Sequence, residues 1–201
     1  MKVHEWMTRN PVTVSKDQDI RGCMDLMTEH SIRHLPVVEG QKLIGFVTES
    51  DLREVSSTSS AEGMSIEDFM VIDPITVSPD TDIEEAAKLI YYHKIGGLPV
   101  VDNEEFVGVI TVVDLLGVFI ELMGVMKSSS RIDVILGDEP EAFERVSAII
   151  RGAGGDIISV GMSGDRSKTK RVHFFRLEKC DVDHISNRLQ DAGYEVVSSA
   201  T

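Results

Sequence analysis

A threonine followed three residues later by an aspartate occurs twice in this chain, each time between a β-rich run and a predicted helix. Thr48 with Asp51, and Thr111 with Asp114, would therefore lie at helix N-termini. A hydroxyl and a carboxylate placed side by side could bind the two hydroxyls of a ribose. The spacing is also close to that of a capping box, which stabilises a helix by about 1 kcal/mol without a ligand. From the residues alone, capping is the favoured role and ribose binding is the alternative.

Both pairs belong to an internal repeat with an offset of 63 residues, the difference between Pro11 and Pro74. Residues 4–53 align with residues 67–116 without a gap, and the phrase LPVV recurs at 35–38 and 98–101. A repeat of this length indicates one supersecondary unit used twice.

Each copy is predicted to fold as a β-α-β-β-α unit. In copy one, the extended segment PVTV leads to a helix, then to a hairpin of LPVVE and LIGFVT, and then to a helix that begins at Glu49. The last helix of copy two is expected to begin at Val112 and to run to residue 126. For the first helix of copy two, Ser78 is the predicted N-cap and Pro79 the predicted first position. The apolar faces of the two first helices are Ile20, Cys23, Met24 and Met27, and Ile83, Ala86, Ala87 and Ile90.

After the repeat, residues 130–201 follow a different pattern, which predicts a βαββαβ plait. The first helix of this part is expected to bury Phe143, Val146, Ile149 and Ile150 on one face. The fold is thus predicted to be mixed α+β, with a pair of β-α-β-β-α units followed by a ferredoxin-like unit. At about 70 residues the last unit has a marginal core, and association would help it.

Composition narrows the classes of function. Residues 1–127 hold 22 acidic and 10 basic residues, a net charge of −12, which repels nucleic acid backbones. The chain has no apolar run of membrane length and no secretory signal, so we expect a cytoplasmic protein without membrane or nucleic acid partners. Cys23 and Cys180 are expected to be reduced thiols. No catalytic set and no metal-ligand spacing is present, so we do not expect an enzyme or a metal site.

The repeat resembles a tandem pair of CBS domains, known as a Bateman module, in order, spacing and duplication. The resemblance covers residues 1 to about 127 and is based on MTRNPVTV, SIRHLPVV and GFVTESDLR in copy one, and on DPITVSP, KIGGLPVV and GVITVVDL in copy two. It implies two clefts, related by a pseudo-twofold axis, that commonly bind adenosine nucleotides. By this resemblance, the candidate ribose ligands are Thr48, Asp51, Thr111 and Asp114, which would act as caps as well. The base pockets would be lined by Thr13, Val14, Ile32 and Leu35, and by Thr76, Val77, Ile95, Gly97 and Leu98.

Three basic side chains of copy one, Arg33, His34 and Arg53, are candidates for phosphate binding. Their equivalents in copy two are Gly96, Gly97 and Leu116, so the two clefts are expected to differ in their preference for charged ligands. Charge-assisted contacts contribute roughly 1.5 to 3 kcal/mol each. Without the resemblance, the arginines would be interpreted as solvated and the histidine as packed.

The last unit resembles an ACT domain through GDEPEAFERVSAIIRGAGGDIISV, with Glu141 where the ACT turn usually has glycine. The order of a CBS pair and an ACT unit resembles proteins of the acetoin-utilisation (AcuB) type. The expected domains are 1–60, 61–127 and 128–201.

The expected function is that of a homodimeric regulator that binds an adenine nucleotide such as AMP, ADP, ATP or an S-adenosylmethionine-like compound, with no catalytic cofactor. A regulated metabolic enzyme is a further candidate partner. The alternatives are a scaffold protein whose Thr-x-x-Asp pairs are caps only, and an amino-acid sensor that acts through the ACT-like unit.

Overall fold

The computed structural model describes residues 1–56, 64–126, 129–137, 140–163 and 171–200. The chain divides into two compact units, residues 1–116 and 117–201. None of the helices in the described ranges is long and apolar enough to cross a membrane.

The first unit contains both copies of the repeat, in the predicted order of elements. Copy one has β1 (Thr8–Arg9), α1 (Ile20–Glu29), β2 (His34–Glu39), β3 (Lys42–Thr48) and α2 (Glu49–Ser56). Copy two has β4 (Val71–Ile72), α3 (Ile83–His93), β5 (Gly97–Asp102), β6 (Glu105–Thr111) and α4 (Val112–Leu122), whose last residues belong to the second unit. The two predicted hairpins and the predicted helix starts at Glu49 and Val112 are confirmed.

The beginning of each copy packs on the other copy. Strand β1 pairs with β6, with Thr8 opposite Val109, and β4 pairs with β3, with Val71 opposite Phe46. The resulting sheets have the orders β1-β6-β5 and β2-β3-β4. Ile66, which precedes β4, is completely buried in the core of copy one. Neither copy therefore has a complete sheet without the other.

The apolar faces of α1 and α3 are confirmed, but two local predictions in this unit are wrong. Helix α3 begins at Ile83 with Asp82 as N-cap, because Ser78 and Thr81 form a turn in which the Thr81 amide donates to the Ser78 carbonyl at 3.1 Å. The extended segments before α1 and α3 do not form strands. Each is held by a single parallel bridge, Val14 to Val37 in copy one and its equivalent in copy two.

The second unit is the predicted βαββαβ plait. It contains β7 (Ser129–Ile135), α5 (Ala142–Gly152), β8 (Ile157–Met162), β9 (Val172–Glu178), α6 (Val182–Asp191) and β10 (Glu195–Ala200). The sheet order is β10-β7-β9-β8, and every neighbouring pair is antiparallel. Buried residues of α5 and α6 form one core with the sheet, including Val146, Ile150, Ile185, Leu189, Ile132 and Phe175. The predicted mixed α+β architecture, with a ferredoxin-like last unit, is confirmed.

Two expectations in this unit are wrong. Helix α4 ends at Leu122, not at residue 126, because Gly124 adopts φ of +65° and the Val125 amide turns back to the Ile120 carbonyl at 3.0 Å. Phe143 is 46% exposed and does not belong to the buried face of α5. Its ring stacks at 5.9 Å on the ring of Phe175.

Candidate functional site

Thr48 and Asp51 form a reciprocal cap at the start of α2. The Asp51 Oδ2 atom accepts the Thr48 amide at 3.0 Å and the Thr48 hydroxyl at 2.7 Å, and the Asp51 amide lies 3.4 Å from Thr48 Oγ1. This is the geometry of a capping box. The second carboxylate oxygen, Oδ1, has no hydrogen-bond partner among the described residues, so the cap occupies only half of the carboxylate.

Thr111 and Asp114 repeat this geometry at the start of α4. The Asp114 Oδ2 atom accepts the Thr111 amide and the Thr111 hydroxyl, both at 2.7 Å. Here too, Oδ1 has no hydrogen-bond partner within the described ranges. Asp51 is exposed, whereas Asp114 is half-buried. The two pairs are thus equivalent in their bonds and differ in their access to solvent.

A glycine three residues before each threonine admits a methionine from the other copy. A Cβ on Gly45 would lie 2.3 Å from the sulfur of Met70, and a Cβ on Gly108 would lie 3.0 Å from the sulfur of Met7 and 2.7 Å from the Thr8 carbonyl oxygen. The initial segment of each copy packs on the other copy, which we call the exchange of the initial segments. The glycines of the two Gly-x-x-Thr-x-x-Asp stretches are required by this packing, independently of any ligand.

The residues predicted to line the base pockets divide into two groups. Thr13 and Thr76 are exposed, and Ile32 and Ile95 are half-buried, so these four side chains are accessible. The others are buried: Val14, Leu35, Val77, Gly97 and Leu98. The side chains of Leu35 and Leu98 do not line a cleft, because they have no exposed surface and lie in the core. Only the backbone at those two positions is left for a ligand.

The three candidate phosphate ligands have different surroundings. Arg33 and Arg53 are exposed, and Arg53 forms an ion pair with Glu49, one turn earlier on α2. His34 is half-buried, and its ring stacks on Phe46 with centroids 5.6 Å apart and an interplanar angle of 18°. The two arginines are at the surface, and the histidine is packed.

His34 also reaches across to copy two. Its Nε2 lies 2.5 Å from the position that a Cβ on Gly96 would take, and 3.6 Å from that of a Cβ on Gly97. Burial, and next the positive charge of Arg33, lower the pKa of His34, while the charges of Asp51 and Asp114 raise it. The sequence shows that the copies differ at His34 and Gly97, but it does not show that His34 contacts the glycines of copy two. The signal for this contact in the sequence is that a large residue in one copy corresponds to small residues in the other.

The sequence model of the CBS domain matches this chain twice, over residues 3–58 and 66–121. The chain belongs to the CBS-domain family. Among curated relatives, its CBS pair is 36% identical over 115 residues to an inosine-5′-monophosphate dehydrogenase of Korarchaeum cryptofilum. That match covers 57% of this chain and 23% of the enzyme. The chain spans about a fifth to a third of the length of the first such dehydrogenases it matches.

The solved structures that resemble the CBS pair include the following three proteins. One is described as an acetoin utilization protein (AcuB) of Vibrio cholerae, with 35% identity, a TM-score of 0.57, and coverage of 62% of this chain and 94% of that chain. The CBS pair of MJ0100 in complex with 5′-methylthioadenosine and S-adenosyl-L-methionine has 27% identity and a TM-score of 0.55, and the match covers 59% and 95% of the chains. CBSX2 in complex with AMP has 27% identity and a TM-score of 0.53, with coverage of 60% and 96%. The resemblance to a tandem CBS protein of the AcuB type is confirmed.

Proposed function

We propose that the CBS pair binds adenosine ligands at the two Thr-x-x-Asp pairs and that the protein is a regulator, not an enzyme. The observation that carries this proposal is that Oδ2 alone serves each cap, while Oδ1 of Asp51 and of Asp114 has no hydrogen-bond partner in the described part of the chain. The adenosine ligands of the MJ0100 and CBSX2 structures support the ligand class.

The geometry suits a vicinal diol. A carboxylate oxygen at a helix N-terminus accepts hydrogen bonds from two adjacent hydroxyls, and because the acceptor is charged these bonds are stronger than neutral ones. The Thr48 hydroxyl donates its hydrogen bond to Asp51 and accepts only the long contact from the Asp51 amide at 3.4 Å, so one of its lone pairs can accept a further hydrogen bond. In copy one, the base would contact the accessible side chains of Thr13 and Ile32, which belong to the predicted base pocket.

Regulation requires that the ligand bind two arrangements of the protein with different affinity. Helix α4 starts directly after Thr111 and continues into the second unit. We infer that occupancy of the Thr111 and Asp114 site changes the position of α4, and that the ACT-like unit passes this change to a partner such as a metabolic enzyme. The protein would act in the cytoplasm.

A homodimer is the proposed assembly, supported by a difference between the helices of the two copies. Tyr91, Tyr92, Val112, Val113 and Leu116 are large apolar residues that are 47% to 74% exposed. The equivalent residues of copy one are all polar or charged: Thr28, Glu29, Glu49, Ser50 and Arg53. The shared fold does not require apolar side chains at these positions, and burying uncharged patches against each other avoids contact between acidic surfaces.

The dimer can be tested by exchanging residues between copies. Leu116→Arg and Tyr92→Glu place the copy-one residue at the copy-two position, and sedimentation velocity measures the mass in solution. We expect a dimer for the wild type and for the control Glu29→Gln, and a monomer for the double variant. A wild-type monomer, or a dimer that survives both substitutions, would count against this interface.

The start of α5 argues against amino-acid sensing by the second unit. Glu141 precedes α5 with φ of −94°, and its carboxylate pairs with Arg145 at 3.2 Å. A glutamate at this position places a negative charge where the carboxylate of an amino acid would bind, so we assign the unit to docking or dimerisation.

Calorimetric titration of the full chain with AMP, ADP, ATP, S-adenosylmethionine and 5′-methylthioadenosine tests the ligand proposal. We expect saturable binding of at least one compound to the wild type, unchanged binding in the control Asp181→Asn, and weaker binding in Asp51→Asn or Asp114→Asn. Asp181 caps α6 in the second unit and lies outside the CBS pair. The absence of binding by a folded wild type would favour the scaffold alternative.

A further inference from the structure

His34 is one side chain placed between two equivalent sites. The residue equivalent to His34 in copy two is Gly97, which has no side chain, so the two copies differ at this position. The imidazole extends into the space left by Gly96 and Gly97, and a Cβ on Gly96 would overlap its Nε2. The small residues of copy two therefore leave the space that the His34 ring of copy one occupies.

Both candidate ribose sites border this ring. His34 is opposite Thr48 in the β2–β3 ladder, and Thr48 caps α2 with Asp51. On the other side, Gly97 is opposite Thr111 in the β5–β6 ladder, and Thr111 caps α4 with Asp114. A single imidazole thus adjoins the first threonine along its own strand pair and the second through the glycines it touches.

We propose that His34 is shared by the two clefts and that its charge state makes the binding of anionic adenosine ligands depend on proton uptake. This inference rests on the proposed function. It concerns the regulation of the same sites, and it assigns different behaviour to a phosphorylated nucleotide and to an uncharged adenosine compound.

The charged groups around the imidazole determine the direction of the effect. Burial and Arg33 lower the pKa of His34, and Asp51 of α2 and Asp114 of α4 raise it. Burial and Arg33 outweigh the two carboxylates, so the pKa of His34 lies below its ordinary value, which favours the neutral ring in the ligand-free protein. A phosphate bound beside Arg33 adds negative charge, which favours the imidazolium, so His34 takes up a proton from the solvent. An uncharged ligand such as 5′-methylthioadenosine adds no charge and leaves the ring neutral.

The first experiment measures proton uptake by calorimetry in two buffers of different ionisation enthalpy at pH 7, with AMP and 5′-methylthioadenosine as probes. Binding of AMP should be accompanied by the uptake of a fraction of a proton in the wild type and of clearly less in His34→Asn. Binding of 5′-methylthioadenosine should be accompanied by no proton uptake in either protein. The comparison between variants removes the contribution of the nucleotide phosphate, which itself titrates near pH 6. His184→Asn, an exposed histidine of the second unit, is the matched control and should behave as the wild type.

The affinity for AMP should also rise as the pH falls from 8 to 6, by at most about tenfold per pH unit for one linked proton, and this dependence should be weaker in His34→Asn. Equal proton uptake with and without His34 would overturn the proposal. If neither probe binds at any pH, the proposed function fails, and the sharing of His34 is decided by a second measurement.

That measurement follows the His34 ring signal by NMR as a function of pH in the ligand-free protein. Asp51→Asn and Asp114→Asn should each lower the pKa of His34, because each removes a negative charge that raises it. If only Asp51→Asn has an effect, His34 belongs to copy one alone and is not shared. If neither has an effect, the imidazole adjoins neither carboxylate, and the proposal is equally wrong.

Discussion

The carboxylate of Asp51 accepts both the amide and the hydroxyl of Thr48 through one oxygen, Oδ2, at 3.0 and 2.7 Å. Capping and ligand binding are therefore compatible at one side chain, because each uses a different oxygen. The two roles can be separated by experiment, since they depend on different chemical properties of the same group.

Asp51→Ala should lower the free energy of unfolding by about 1 kcal/mol through loss of the cap. Asp51→Asn keeps one acceptor oxygen for the Thr48 amide and should lose less. Both should weaken adenosine binding, because the amide of asparagine replaces the free acceptor with a donor. Urea denaturation and calorimetry measure the two effects. Full affinity in Asp51→Asn would mean that Asp51 is a cap and nothing more.

Gly96→Ala should destabilise the first unit, because the new Cβ would lie 2.5 Å from His34 Nε2 and must displace the ring. Overpacking of this kind costs roughly 1 to 3 kcal/mol. His34→Ala should remove most of this cost, so the double variant should be more stable than the sum of the single changes predicts. A double-mutant cycle by urea denaturation measures the coupling, and additive effects would show that the two positions do not touch.

Because the initial segment of each copy packs on the other copy, truncating a buried residue of one initial segment should destabilise the other copy. Val3 and Ile66 are equivalent in the repeat and both are completely buried, and Ile66 lies in the core of copy one. The Val3 amide bonds to the Thr81 carbonyl of copy two at 2.9 Å. Val3→Ala should therefore increase amide hydrogen exchange first in α3 and β6, and Ile66→Ala in α1 and β3. The opposite pattern would contradict the exchange.

The two cysteines should differ in reactivity. Burial, and to a lesser extent the charge of Asp19, raise the pKa of the Cys23 thiol to about 11, and Cys180 is half-buried. Thiol reagents at pH 8 should modify Cys180 and leave Cys23 intact, because the thiolate is the nucleophile. Because the folded-state pKa is raised, the stability that Cys23 contributes as a thiol is present below pH 9 and is lost as the pH rises towards 11. Mass spectrometry of the labelled chain, with Cys180→Ser as control, distinguishes the sites, and equal labelling of both would show that Cys23 is accessible.

The repeat itself made most of the fold predictable. Two aligned copies with the same apolar faces and the same β-rich runs define the same elements twice, so the hairpins and the helices starting at Glu49 and Val112 followed from the sequence. The capping geometry of Thr48 with Asp51 is local and was also predictable. A pattern within one copy carries no information about contacts between copies, which is why the packing of Met70 on Gly45 and of His34 against Gly96 was not foreseen.

The wrong predictions have local causes. Ser78 and Pro79 fit a helix start in composition, but a turn closed by Thr81 delays the helix to Ile83. The apolar run that continues beyond Leu122 matches a helix, but Gly124 with positive φ ends it. Backbone conformation at one or two residues decides such boundaries, and apolar periodicity does not report it.

The ribose assignment is tested most directly by comparing AMP with its 2′,3′-dideoxy analogue. The full chain and the double variant Asp51→Asn, Asp114→Asn are titrated with both compounds in a calorimeter. If the free carboxylate oxygens bind the diol, the analogue should bind the wild type roughly tenfold to a hundredfold more weakly than AMP, since hydrogen bonds to charged groups contribute about 1.5 to 3 kcal/mol. The double variant should no longer distinguish the two compounds. Equal binding of AMP and its analogue by the wild type would contradict the account.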